Sequence, residues 1–180
     1  SSEPTLCRLC TDVFRIILQE LLHSFDPRSP TQLRQSYSAW SHLPLLHACA
    51  AAGDSLAVRT LLRTHKYDID EQALLNGHAV AGASLWMGST AAMSAVEFNQ
   101  VETFRLLSPD CNLTLFDNSS CTVITKVVMS GNEAFLDVLR EQGCTAKDLD
   151  QPNSQKVTSL MLSVSLGSPR AGWTISECGG

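Results

Sequence analysis

Residues 43–62, LPLLHACAAAGDSLAVRTLL, restrict the fold of this chain more than any other stretch. Leu45, Leu46, Cys49 and Ala50 recur at helical spacing, and the small run Ala48 to Ala52 lets a neighbouring helix approach closely. Gly53 interrupts the pattern. Asp54 or Ser55 can then cap a second helix carrying Leu56, Ala57, Val58, Leu61 and Leu62 on one stripe. Neither helix is long enough to bury its stripe alone, so the pair needs similar pairs stacked against it.

The chain repeats the unit. Registering on the glycine and the closing Leu-Leu gives starts near Pro44, Thr90, Thr122 and Thr158, the last three roughly 33 residues apart. Gly53, Gly131 and Gly167 fall between the two helices of their units, and Asn99 takes that place in the second, as a residue tolerant of left-handed backbone can. Val58, Leu61, Leu62, Leu136 and Leu139 fill the second helix, and Gly143 stops it.

This pattern resembles the ankyrin repeat, a β-turn and two helices with the signature T-P-L-H-x-A. His47 matches the histidine of the motif, and Thr90, Thr122 and Thr158 match its threonine. No threonine is followed by proline, and the units beginning Thr90-Ala-Ala-Met and Thr158-Ser-Leu-Met lack the histidine. The resemblance implies an all-α solenoid of about four helix-turn-helix repeats with β-turn fingers, over residues 41–180, behind a helical N-terminal cap at 1–40. Ser168-Pro169 and Gly172 predict a short or irregular last helix.

Residues 63–88 exceed an ordinary connection and make either an enlarged finger, the favoured reading, that begins at Tyr67-Asp68-Ile69-Asp70 and ends in Trp86 and Met87, or a degenerate repeat. A second finger, at 110–120, alternates Leu113, Leu115 and Phe116 ahead of Asp117-Asn118, which predicts an extended hairpin. The fingers carry Asp68, Asp70, Glu71, Asp110, Asp117, Asp148 and Asp150 against Lys66, Lys147 and Lys156, so that side is acidic.

At the N-terminus, Leu6, Leu9, Cys10, Val13, Phe14, Ile17, Leu21 and Phe25 predict an apolar helix over residues 5–25. Asp12, Arg15, Gln19 and Glu20 break it up too often for a membrane span, which needs about 20 largely apolar residues. A basic leader and a small-residue cleavage site are both missing, so it does not read as a secretory signal. Two readings stand for this helix. It covers the open end of the stack, or it docks a partner: Leu6, Cys10 and Phe14 resemble the elongin-binding BC-box of cullin-ring ligase receptors, with Phe14 larger than the usual aliphatic. Ser29-Pro30 marks an N-cap and first helical position, predicting a second capping helix from Thr31 to Trp40.

Composition narrows the function. The 180 residues are 44% hydrophobic and 17% charged, enough for one domain with a real core, and a net charge of −5 disfavours nucleic acid as partner. Seven cysteines without close pairing read as reduced thiols of a cytoplasmic or nuclear protein, so glycosylation at Asn112-Leu-Thr114 or Asn118-Ser-Ser120 is not expected. Cys7-x-x-Cys10 lacks the second ligand pair of a structural zinc site. The five histidines, His23, His42, His47, His65 and His78, have no metal-binding spacing, and neither a phosphate-cradling glycine loop nor a nucleophile elbow occurs. No enzyme, cofactor or metal is therefore expected, and His47 reads as a structural hydrogen-bonding residue.

The resemblance implies a protein-interaction module whose partner lies on the concave face of fingers and inner helices. Carried over, the outward positions are Ala48 and Ala51, Ser94 and Glu97, Lys126 and Met129, Leu162 and Ser165. With the fingers these give a candidate partner-binding set of Asp68, Asp70, Trp86, Met87, Ser94, Glu97, Phe116, Asp117, Lys126 and Met129, suited to a Lys/Arg-rich peptide or protein segment. The alternative is a substrate receptor that recruits elongin B and C through Leu6, Cys10 and Phe14.

Overall fold

The computed structural model describes residues 26–64, 66–73, 87–144, 151–153 and 155–167. All regular structure among them is helical: α1 (Pro30–Ser36), a 3-10 turn (Ser38–Trp40), α2 (Leu45–Ala52), α3 (Ser55–Arg63), α4 (Ala91–Glu97), α5 (Val101–Leu107), α6 (Val123–Ser130), α7 (Glu133–Glu141) and α8 (Ser159–Ser165). Leu6, Cys10, Phe14 and Trp86 lie outside the described residues, as do most of the enlarged finger and everything after Gly167.

The helices form two layers. In one, α2 packs on α4, α4 on α6 and α6 on α8; in the other, α3 packs on α5 and α5 on α7; α1 rests on α2. Sequence-adjacent pairs link the layers, so each pair buries its stripe against the next. Leu46, Met93, Ile124, Val58, Phe104, Leu107 and Phe135 are fully buried, and Leu61 and Leu136 are buried beside them. Phe104 and Phe135 meet edge to face at 5.2 Å, an arrangement aromatic rings favour.

The same local devices recur from unit to unit. Thr90, Thr122 and Thr158 sit in extended backbone before α4, α6 and α8, and each hydroxyl accepts the amide three residues on, from Met93, Thr125 and Met161. The first unit has Pro44 there, with no side-chain cap. Its histidine bonds elsewhere: His47 Nε2 lies 2.9 Å from the carbonyl of Ser89, just before the second unit's threonine. Left-handed backbone follows each of α2, α4, α6 and α8, at Gly53 (φ 74°), Asn99 (φ 58°), Gly131 (φ 64°) and Gly167 (φ 64°). At Gly53 space counts as well as φ, because a Cβ would come within 2.3 Å of Gln100 Oε1, and the amide nitrogen of that side chain donates to the Ala51 carbonyl.

The connections before α6 and α8 are built alike. Asp117 N donates to Cys121 O, while Asp117 Oδ1 accepts from the amides of Ser119 and Cys121. Asn153 N donates to Val157 O, and Asn153 Oδ1 accepts from Gln155 and Val157. Ser120 and Lys156 supply the left-handed residue of each turn. The hairpin expected at 110–120 is therefore not formed. The Asp117 carboxylate takes amides that a strand ladder would have used, a competition typical of Asp and Asn side chains.

The capping segment differs slightly from its expectation. Ser29 caps α1 through a capping box with Gln32, but the helix stops at Ser36 and continues only as the 3-10 turn. Trp40, at the end of that turn, packs edge to face on Phe98 at 5.7 Å. Arg28 binds Asp26 through two guanidinium nitrogens and also reaches Asp54, the N-cap of α3, to which the Tyr37 hydroxyl donates as well.

Candidate interaction surface

One polar group joins the layer of α2, α4, α6 and α8 to the turns. Lys126, on α6, bonds Glu97 of α4 and lies 2.8 Å from Asp117 Oδ2. The Lys126 side chain is 11% exposed and that of Asp117 is 0% exposed, so this pair is largely shielded from water, while Glu97 forms its open edge at 21%. Burial is the largest influence on the lysine and opposes its charge, but the two carboxylates together outweigh it and raise its pKa. For Glu97 the balance falls the other way: burial raises its pKa, and Lys126 offsets this only in part.

Two exposed apolar residues lie close to this group in the chain. Met129, one turn beyond Lys126 on α6, is 58% exposed, and Phe116, next to Asp117, is 38% exposed. Gln72 ties the connection before α4 to the one before α6, its amide nitrogen donating to the carbonyls of Gly88 and Phe116 at 2.7 and 2.8 Å. Asn118 N donates to Met87 O, and a Cβ on Gly88 would meet Asn118 Oδ1 at 2.8 Å. Asp70 Oδ1 accepts from the Asn112 amide, while Asp68 is exposed and accepts the Asp70 amide.

The structure thus connects Met87, Phe116, Asp117, Lys126 and Glu97, with Met129 one turn from Lys126 on α6, and joins the Asp68–Asp70 segment to the connection before α6. Besides the shielded Lys126, two expected contact residues are withdrawn from solvent. Ser94 is buried and donates to the Thr90 carbonyl, and Asp117 spends its carboxylate on its own turn and on Lys126. Ala48 and Ala51, expected to face outward, are also buried, so the first unit offers no open floor of small side chains. Leu162 is half-buried and Ser165 exposed. Gly88-Ser89 reads as turn-like from the sequence, whereas Gln72 gives no signal there, because a lone glutamine inside a long connection has no periodicity.

No group of three metal-ligating side chains occurs among the described residues. His47 is fully buried, and burial pushes its pKa down to about 4. Cys49, Cys111 and Cys121 are free thiols, and burial pushes the first two up to about 12, far from the range of a reactive nucleophile. No helix among the described residues is long and apolar enough to cross a membrane. No protein-family model matches the chain, and no curated protein matches it either.

Proposed function

We propose that this chain is an ankyrin-type repeat stack acting as a non-catalytic protein-interaction module, with its partner segment lying across α4, α6 and the adjoining turns. The observation that carries the reading is the pair of exposed apolar side chains, Met129, one turn from Lys126 on α6, and Phe116, the chain neighbour of Asp117, where Ala48, Ala51 and Ser94 of the helices packed before α6 are buried. Fixed polar groups next to accessible apolar anchors make a surface that orients a peptide while desolvating a few of its side chains. The ankyrin assignment draws support from the recurring threonine caps, the left-handed residue after each inner helix and the twin turns anchored by Asp117 and Asn153.

Charge selects the partner class. Asp117 and Glu97 are already committed to Lys126, so steering falls to Asp68, Glu71 and Asp110, all exposed on the finger side. A segment with an apolar residue for Met129 and Phe116 and flanking Lys or Arg fits best.

The test is a pull-down with the whole chain, followed by titration of the recovered segment at low and high salt against Met129→Glu and a combined Asp68→Lys, Asp110→Lys change. The first should weaken binding at least tenfold, about 1.4 kcal/mol, chiefly through the off-rate, and the second chiefly through the on-rate and only at low salt. Binding untouched by both would place the partner elsewhere on the molecule. Recovery of elongin B and C, lost on Leu6→Ala and Cys10→Ala, would favour the ligase-receptor reading.

A further inference from the structure

Three serine-proline pairs occur in the chain, at Ser29, Ser108 and Ser168. Ser108 is buried, with its hydroxyl donated to the Phe104 carbonyl, and Ser168 lies outside the described residues. Ser29 is different. Pro27, Ser29, Pro30 and Thr31 are all exposed, and Ser29 has extended backbone at φ −67°, ψ 158°. Its Oγ acts only as acceptor, from the Gln32 amide at 3.3 Å, which leaves the hydroxyl proton uncommitted. Pro30 has no amide hydrogen to satisfy, and Leu33 is the one buried residue of α1, so opening the first turn breaks the capping box with Gln32 and the Leu33 amide bond to Ser29 but little buried packing.

Next to Ser29 is the cation that seats this segment. Arg28 Nε lies 2.9 and 3.1 Å from the two Asp26 oxygens, and Arg28 Nη2 bridges Asp26 to Asp54. Asp26 is 4% exposed, and its amide donates to Thr60 Oγ1 on α3. The Asp26 carboxylate is tolerable at that depth because Arg28 faces it.

We propose that Ser29 is a phosphorylation site for a proline-directed protein kinase, and that the phosphate loosens α1 from the stack by competing for Arg28. In the transfer, Ser29 Oγ bonds to the γ-phosphorus of ATP as the bond to the β-phosphate oxygen breaks; the hydroxyl proton passes to the base of the kinase and ADP leaves. The product places a dianion one residue from Arg28 and near two carboxylates. If the guanidinium turns to the phosphate, Asp26 is left buried without its counter-charge; if it stays, three anionic groups share one cation. Both outcomes weaken the seat of α1, and the favourable effect of a phosphate at the start of a helix this short is the smaller term.

The experiment treats the folded chain with a proline-directed kinase and ATP, maps the phosphate by mass spectrometry, and follows hydrogen exchange at the Asp26 and Arg28 amides. Ser29→Asn serves as control, because it keeps the cap and takes no phosphate. The expected result is one phosphate on Ser29, exchange at those amides faster by on the order of tenfold, and a lower Tm, with the control unchanged by kinase treatment. Absence of phosphate on Ser29, unchanged exchange in the Ser29-phosphorylated chain, or the same change in the Ser29→Asn control would each overturn the proposal.

Discussion

Helices α6 and α8 begin behind the same threonine cap and are followed by a left-handed glycine, yet the side chains between those marks meet different surroundings. In α6, Val123, Ile124, Val127 and Val128 are all buried. At the matching places of α8, Ser159 and Ser163 are buried while Leu160 and Val164 are exposed, Val164 to 74% where Val128 is at 1%. The buried serines are satisfied locally: Ser163 donates to the Leu160 carbonyl, and Ser159 lies 3.4 Å from Thr125 Oγ1. Apolar spacing marks which residues will face a neighbour. It does not say whether a neighbour is present, and α6 lies between α4 and α8 while α8 has an inner helix on one side only among the described residues.

The largest expected effect tests this difference directly. Ile124→Ala should cost about 2–5 kcal/mol, since it removes buried methylenes from a core closed on all sides. Leu160→Ala, the same kind of truncation at the matching place, should cost under about 1 kcal/mol because the side chain is already partly in water. Urea denaturation of both variants against the parent measures the gap. Equal losses would mean that α8 is covered in solution as fully as α6.

Much of the architecture was legible beforehand because it rests on short-range chemistry. Gly53 and Gly131 stop helices, Thr90, Thr122 and Thr158 start them, and the apolar spacing fixes which face is buried; these signals gave the helix pairs and their order. The candidate surface was legible only in part. Met129 and Phe116 are exposed as expected, but Asp117 looked like a free finger acid and is a turn anchor, because an Asp bonding its own backbone and an Asp waiting for a ligand look the same in a sequence. Ala48 and Ala51 failed for another reason: a small outward residue is open only where nothing lies over it.

The second effect uses His47, which occupies in α2 the place that Thr125 holds in α6 and Met161 in α8. Its folded pKa is depressed to about 4 by burial, against an unfolded value near 6.5. Above about pH 6.5 both states are neutral and the stability is fully present. As pH falls from there towards about 4 the unfolded state takes up the proton first, and on the order of 3 kcal/mol is lost. A His47→Met variant should remove this slope, since its replacement does not titrate. Asp26, whose carboxyl the Arg28 hydrogen bond holds below its ordinary value, adds an acid loss of its own, but in a lower window that opens only as pH drops past the ordinary carboxylate range. Denaturation midpoints from pH 7.5 to 4 separate the two. A parent chain with no slope between 6.5 and 5 would mean that His47 is solvated in solution.

The smallest effect returns to the caps that make α6 and α8 look alike. Thr122 is buried, its hydroxyl accepts the Thr125 amide at 3.2 Å, and it lies 3.0 Å from Thr125 Oγ1. Removing it by Thr122→Ala strips a buried amide of its acceptor with no water in reach, and should cost about 1–2 kcal/mol. Thr158 makes the same bond to Met161 at 3.3 Å, but it is only half-buried and Met161 is exposed, so water replaces the lost oxygen and Thr158→Ala should cost about 0.5 kcal/mol. Thr→Ser at either position keeps the acceptor and should fall within about 0.5 kcal/mol of the parent. Because a stack of short units can fray from one end, the comparison is best read by hydrogen exchange at the Thr125 and Met161 amides as well as by global unfolding. If Thr158→Ala proves as costly as Thr122→Ala, α8 is shielded from water around its cap, and the exposed face of the last helix is narrower than its side-chain accessibilities imply.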